Sequence, residues 1–385
     1  MKPLSLIIVM SLIIGAILVF SPISLRNIIA SFPLFKGLGT ASEKPAATQL
    51  SAQQAIIWRT IDGGATWFPQ TAVEADANLP EVSVLDIVFD KENSNIIYAG
   101  TEGAGLYRSF NNGQNWEKLI DRNGVLADNA LVYKIVQDGK NVNNIYLAVF
   151  QDKRGMFLKS TDGGISFTRT YLTQLENYPV EAIAVNPSAS NIIYMGTKQG
   201  GFFVSRDYGE TWNAAKWITG QIIDIVVNPR NTDEIYAATR DRGLFRSSDG
   251  GETWHDFNKE LARVSARHAI SSFILESVNG DALYLAIANG LVKSNNRGRI
   301  WEFVNILIPS KALPVDAIAI DPGNPDMINV GVDTLLYKSE DGGVNWSVQK
   351  LDTAKRIAIM TIDEKDPKSI LLGMKVVNRG RTSAR

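Results

Sequence analysis

Ser247-Ser-Asp249-Gly-Gly251-Glu-Thr253-Trp254 is the most regular of seven related octapeptides in a chain of 385 residues. Thr60–Trp67, Ser109–Trp116, Ser160–Phe167, Ser205–Trp212, Ser294–Trp301 and Ser339–Trp346 carry the same pattern. Its Asp or Asn positions are Asp62, Asn111, Asp162, Asp207, Asp249, Asn296 and Asp341, spaced 49, 51, 45, 42, 47 and 45 residues apart. Gly stands two residues later and an aromatic five residues later in every copy. An Asp or Asn side-chain oxygen accepts from backbone N–H groups ahead of it and closes a turn. Gly takes a positive φ there without steric penalty. The Ser or Thr hydroxyl ties the strand entering the turn, and the aromatic covers apolar surface on the strand leaving it. Each octapeptide therefore reads as a structural clasp on a β-hairpin. Catalysis or Ca²⁺ binding by the repeated Asp residues is set aside, because each is already occupied by its own turn.

Between clasps lies a second repeated unit, two β-rich runs joined by a polar turn. Examples are Leu85-Asp-Ile-Val-Phe89 with Asn95-Ile-Ile-Tyr-Ala-Gly100, and Ile223-Asp-Ile-Val-Val227 with Glu234-Ile-Tyr-Ala-Ala238. Enrichment in β-branched residues and Asn-Pro or Asp-Pro breakers mark these as antiparallel strands. A unit of about 46 residues then holds four strands, A to D, which is one blade of a β-propeller. Clasps and A–B pairs are offset. The first clasp has no pair before it, and the last pair, Ile357–Gly373, has no clasp after it. Strands from the two chain ends are thus expected to share one blade and leave no exposed edge. The expected fold is all-β, a single seven-bladed propeller of four-stranded antiparallel blades over residues 56–376, with a short tail at 377–385.

Composition narrows the chemistry. With no Cys, disulfides, thiolate zinc sites and Cys nucleophiles are excluded, and two His make a His-based metal centre or triad improbable. A net charge of −1 gives no global attraction to nucleic acid. No metal and no cofactor is expected.

Leu4–Phe20 is an uncharged, mostly apolar run behind Met1-Lys2-Pro3, and it has no Ala-x-Ala cleavage pattern nearby. Extended through Leu25 it reaches the length of a membrane span. Residues 1–27 are therefore read as a signal anchor with a transmembrane helix, with cleavage and secretion as the alternative. Residues 28–55 read as a juxtamembrane tether. The propeller is expected on the extracytoplasmic side.

The clasp resembles the Asp-box, or BNR repeat, and the chain is similar to Asp-box propellers over its whole folded part. Relatives sharing the motif include the sortilin propeller, xyloglucanases, sialidases and the photosystem II assembly and stability factor. The resemblance implies that the boxes sit at C–D hairpins, away from the substrate face. This chain lacks the Phe/Tyr-Arg-Ile-Pro segment of sialidases and has room for one propeller where xyloglucanases place their Asp pair between two. It looks most like the assembly factor, which implies binding of a protein or glycan partner without catalysis. The alternative is a glycoside hydrolase with carboxylates converging in the central funnel, for which Asp152, Glu181, Asp241 and Asp333 are the candidates.

In a four-stranded blade the A–B turns and the clasps open on one face, and the B–C and D–A loops on the other. The second face is free of clasps and is the expected site. Its loops supply Arg154, Lys198, Trp217, Arg240, Arg242, Arg267, Lys355 and Arg356, candidate ligands for an acidic peptide or glycan. Trp217 is read as a plug between blades, and His268 as incidental.

Overall fold

The computed structural model describes residues 52–70, 72–73, 79–264, 270–308 and 314–377. The expected anchor at 1–27, most of the tether and all but one residue of the tail lie outside these. Among the described residues no helix is long and apolar enough to cross a membrane.

Among the described residues seven sheets follow one another along the chain, antiparallel but for one short strand. Blade 3 shows the plan. Val180–Val185, Ile193–Thr197, Gly201–Ser205 and Asn213–Trp217 pair in sequence order from the inside outwards. Strand A of each blade packs beside strand A of the next, and Arg356–Ile362 packs beside Val84–Phe89 to complete the circle. The closing blade, blade 7, is built from both ends of the chain. Its A and B strands are Arg356–Ile362 and Ile370–Lys375, and its C and D strands are Ile57–Thr60 and Phe68–Gln70. Trp58 lies opposite Leu372 in that seam.

Blade 1 departs from the expected four strands. Ala72–Val73 adds to it in parallel, pairing with Asn115 and Trp116 of its outer strand. The connection leaving blade 7 thus runs along the outside of blade 1 before entering it. Two residues are too few to give a period-2 pattern, so this strand left no sequence signal.

The clasps have one geometry. In blade 4 the Ser247 hydroxyl donates to Asp249 Oδ1 at 2.7 Å and accepts the Gly251 N–H at 2.8 Å. Asp249 Oδ1 accepts the Thr253 N–H at 2.9 Å, and the Thr253 hydroxyl donates to Oδ2. Asn111 and Asn296 accept the same backbone bond through the amide oxygen, at 2.8 Å each. The residue directly after the Asp or Asn also has positive φ, including Asn112, Tyr208 and Arg297 at 57–59°. Its N–H donates to a carbonyl of the same blade's A–B turn, as Gly250 does to Asp233 and Tyr208 to Asn191. That bond joins the two hairpins and offsets the left-handed backbone.

The aromatic of a clasp also joins blades. The Trp212 ring sits 4.7 Å from Phe157 of blade 2, and Trp254 sits 4.8 Å from Phe202 of blade 3, both edge to face. Hydrophobic contact of this kind seals successive sheets into the ring.

Asp207 and Asp249 are held at about 2, below the ordinary carboxylate range. The Thr211 and Thr253 hydroxyls contribute most to this, followed by the backbone N–H groups of the same residues. A carboxyl with a depressed folded-state pKa contributes stability above its unfolded value of about 4, and that contribution fades as pH falls towards the folded value. Denaturant midpoints should therefore drop between about pH 4 and pH 2. Asp207→Asn and Asp249→Asn should flatten that drop without unfolding the protein, as the natural Asn clasps imply. A slope unchanged by both substitutions would contradict this.

Candidate functional site

The second face surrounds the entrance to a central channel. In six blades strand A bulges as it enters, at Val84/Asp86, Val132/Lys134, Val180/Ala182, Ile222/Asp224, Ile270/Ser272 and Ile357/Ile359. A bulge sets an extra residue on the strand and re-aims side chains, and such features cluster beside functional sites. Below the entrance is a cavity of about 320 Å³ lined by inner strands of six blades.

An ion pair lies in this cavity. Lys134 Nζ of blade 2 reaches Asp224 of blade 4 at 3.3 Å, passing blade 3 where the matching residue is Ala182. Asp224, with Asp86 in support, holds the Lys134 ammonium above its ordinary range, while burial opposes. Asp86 is buried and its carboxyl is pushed up by desolvation, against the pull of Lys134 and the Ile135 N–H. One lysine therefore serves two carboxylates across three strands. Lys134→Met should cost about 1–2 kcal/mol, since removing one partner of a part-buried pair leaves a carboxylate short of its cation. Adding Asp224→Asn should recover most of that loss in the same denaturant titration, and a double variant no more stable than the single would contradict it.

Four of the eight expected ligands gather on the open face of blades 3 and 4: Lys198, Trp217, Arg240 and Arg242. Lys198 precedes the B–C turn of blade 3, and Gly201 at that turn's end pairs with Trp217. The loop after Trp217 lies against blade 4, where Gly220 touches the Arg242 side chain and Gln221 accepts the Arg240 N–H. Lys198, Arg240 and Arg242 are exposed. Trp217 is 64% exposed, so it does not plug a gap between blades as the sequence reading had it. It lies on an outer strand whose five residues are all exposed, where no neighbouring blade covers it.

Gln221 sits at the centre of this group. Its side-chain amide donates to Glu181 Oε2, and its backbone N–H donates to Asp241 Oδ1 at 3.1 Å. Burial pushes the Glu181 carboxyl up, while the Gln221 bond and the charges of Arg240 and Lys198 pull it down. Tyr133, at the same mouth, is pushed up to about 12, mainly by burial and then by the charge of Glu181.

The remaining candidates lie elsewhere. Lys355 is 4% exposed and is a buried tie, with Nζ at 2.8 Å from Glu81 and 3.0 Å from the Gln53 carbonyl oxygen. Its pairing corrects the reading of it as a ligand residue. Arg356 is paired with Asp316, and Arg154 donates to the Thr173 carbonyl at 2.6 Å. Arg267 and His268 fall outside the described residues. Asp152 and Asp333 hold left-handed turn positions, at φ 50° and 53°. Sequence reasoning missed Asp86, Lys134, Asp224 and Gln221. The polar residues inside otherwise β-branched A strands were the available signal for the first three. Among the described residues no group of acidic or His side chains suits a metal ion.

The comparisons with known proteins agree on the fold. The Sortilin-Vps10 family, described as sortilin, neurotensin receptor 3, matches residues 200–273. The xyloglucanase Xgh74A of Acetivibrio thermocellus is 31% identical over 143 residues, 33% of this chain and 17% of that protein. A xyloglucanase of Paenibacillus sp is 26% identical over 205 residues, 48% of this chain and 18% of that protein. The chain thus spans less than a fifth of the length of these curated relatives. Among solved structures, the GH74 xyloglucanase from Xanthomonas campestris superposes with a TM-score of 0.62 at 18% identity, over 76% of this chain and 51% of that one. YCF48 from Cyanidioschyzon merolae superposes with a TM-score of 0.59 at 17% identity, over 77% of this chain and 97% of that one. YCF48 bound to D1 peptide gives 0.58 at 16% identity, over 78% and 94%. The chain has the propeller fold with clasps of the Asp-box pattern, and it is similar to both groups.

Proposed function

We propose that this Asp-box propeller is a non-enzymatic binding scaffold, which holds a protein or glycan partner on the open face of blades 3 and 4. The observation that carries the reading is Trp217, 64% exposed on the face whose loops also carry the exposed Lys198, Arg240 and Arg242. An exposed aromatic on a face that also carries cations offers stacking area and charge to a partner, and a large exposed aromatic is otherwise unfavourable. The two carboxylates at this place, Glu181 and Asp241, are both engaged by Gln221. The superposition with YCF48, which accounts for nearly all of that chain, supports a single propeller used for binding. The apolar run Leu4–Phe20 supports tethering of the propeller outside the cytoplasm.

One observation favours the hydrolase alternative. Glu181 and Asp241 come from different blades, share Gln221, and Glu181 is shifted towards the protonated form, as a general acid requires. Incubation of the full chain with xyloglucan oligosaccharides separates the two. The binding reading expects no cleavage. Cleavage abolished by Glu181→Gln would establish the hydrolase in its place.

A further inference from the structure

We propose that the outer strand of blade 3, Asn213–Trp217, is a docking edge to which an acidic peptide adds as a fifth strand. The inference rests on the binding reading above and names the partner's chemistry. The hydrogen-bond register fixes which backbone groups are on offer. Ile218 N–H donates to the Gly200 carbonyl at 2.7 Å, so Gly200 and Ile218 form a hydrogen-bonded pair. The next pair in the ladder, Gly201 and Trp217, is then of the non-bonded kind, and the Trp217 N–H and C=O point away from strand C towards the open side. Among the described residues no strand lies beyond Asn213–Trp217 in its sheet, and all five of its residues are exposed.

Edges of this kind are normally short or covered. The outer strands of blades 4 and 5 are short, only two residues each, His255–Asp256 and Glu302–Phe303. Blade 1 takes the other course, since Ala72–Val73 covers its outer strand as a fifth, parallel strand. This fold therefore accepts an added strand at the equivalent edge, and among the described residues that place is open in blade 3, as it is beside Thr168–Leu172 of blade 2 and Ser347–Lys350 of blade 6. Charge selects the occupant. Lys216 lies on the edge itself and Lys198, Arg240 and Arg242 are exposed on the loops of the same face, four cations against two carboxylates, Asp241 at 3.8 Å from Arg242 and the buried Glu181. A peptide alternating acidic and apolar residues would pair its carboxylates with these cations and lay an apolar side chain on Trp217.

The test uses the full chain and an acetylated, amidated Glu-Val-Glu-Val-Glu-Val peptide, with a copy N-methylated at alternate residues to remove backbone donors. Amide hydrogen exchange is followed by mass spectrometry. With the first peptide at saturation, exchange over 213–217 should slow by about tenfold. Arg240→Ser with Arg242→Ser should weaken binding by about tenfold, and the N-methylated peptide should lose both binding and protection. Equal binding by the N-methylated peptide, still dependent on Arg240 and Arg242, would overturn strand addition and leave the binding reading intact. No binding of either peptide at millimolar concentration would overturn the acidic-peptide assignment, while a partner still lost with Trp217→Ala would keep the scaffold reading. Strong protection of 213–217 before any peptide is added, removed by deleting residues 28–48, would make the chain's own tether the occupant and overturn the proposal.

Discussion

Replacing Gly200 by alanine should destabilise the propeller by about 3 kcal/mol or more, among the larger effects of any single substitution. Gly200 has φ +91°, a conformation that side chains with a Cβ rarely adopt. A Cβ there would also lie 1.7 Å from the Ile218 carbonyl oxygen and 2.9 Å from that of Gly220. Both contacts are backbone, so no side chain can swing aside. Relief requires moving the D–A loop that follows Trp217 towards blade 4, and the Arg240–Gln221 hydrogen bond would be lost with it. The variant should therefore lower the denaturant midpoint and weaken partner binding together. Wild-type stability in Gly200→Ala would mean that the turn does not have this geometry.

Trp116→Ala should cost about 3–5 kcal/mol, the range for deleting a fully buried large aromatic. Trp116 is the largest of the fully buried side chains. It packs in a cluster with Ile57, Val84, Ile97, Tyr107 and Leu371, which brings together blade 1 and both chain ends of blade 7. The cavity would open at the seam where the ring closes. Trp346 occupies the same position in its own clasp but is only half-buried, so Trp346→Ala should cost visibly less. Equal losses in the two variants, read from chemical denaturation, would show that closure contributes nothing special at this seam.

Much of the architecture could be read from local chemistry. The clasp needs an Asp or Asn, a Gly and an aromatic within six residues, so its seven copies marked the blades. The unmatched first clasp and last A–B pair pointed to closure by the termini, and Trp58 does lie opposite Leu372. The face assignment followed from strand parity. What escaped depends on distances that the linear chain does not encode. Lys134 and Asp224 meet across the channel only because Ala182 leaves space between them. Gln221 joins Glu181 and Asp241 across two blades. Lys355 looked like an exposed loop cation, yet it is buried against Glu81 and Gln53 from the other end of the chain. A loop residue's charge can be read from sequence, and its burial by a distant segment cannot.

The face assignment and the site both require that the two chain ends pair in one sheet, and the absence of cysteine permits a clean test. Met374 N–H donates to the Ile56 carbonyl at 2.9 Å, which makes 56/374 a hydrogen-bonded pair. Counting along the antiparallel ladder, Arg59 and Leu371 form a non-bonded pair, whose side chains approach most closely. Arg59→Cys with Leu371→Cys should form one intramolecular disulfide in the folded monomer under mild oxidation, joining positions at opposite ends of the sequence. Two free thiols by mass spectrometry, in a protein that keeps its β-sheet circular dichroism, would contradict the closed ring.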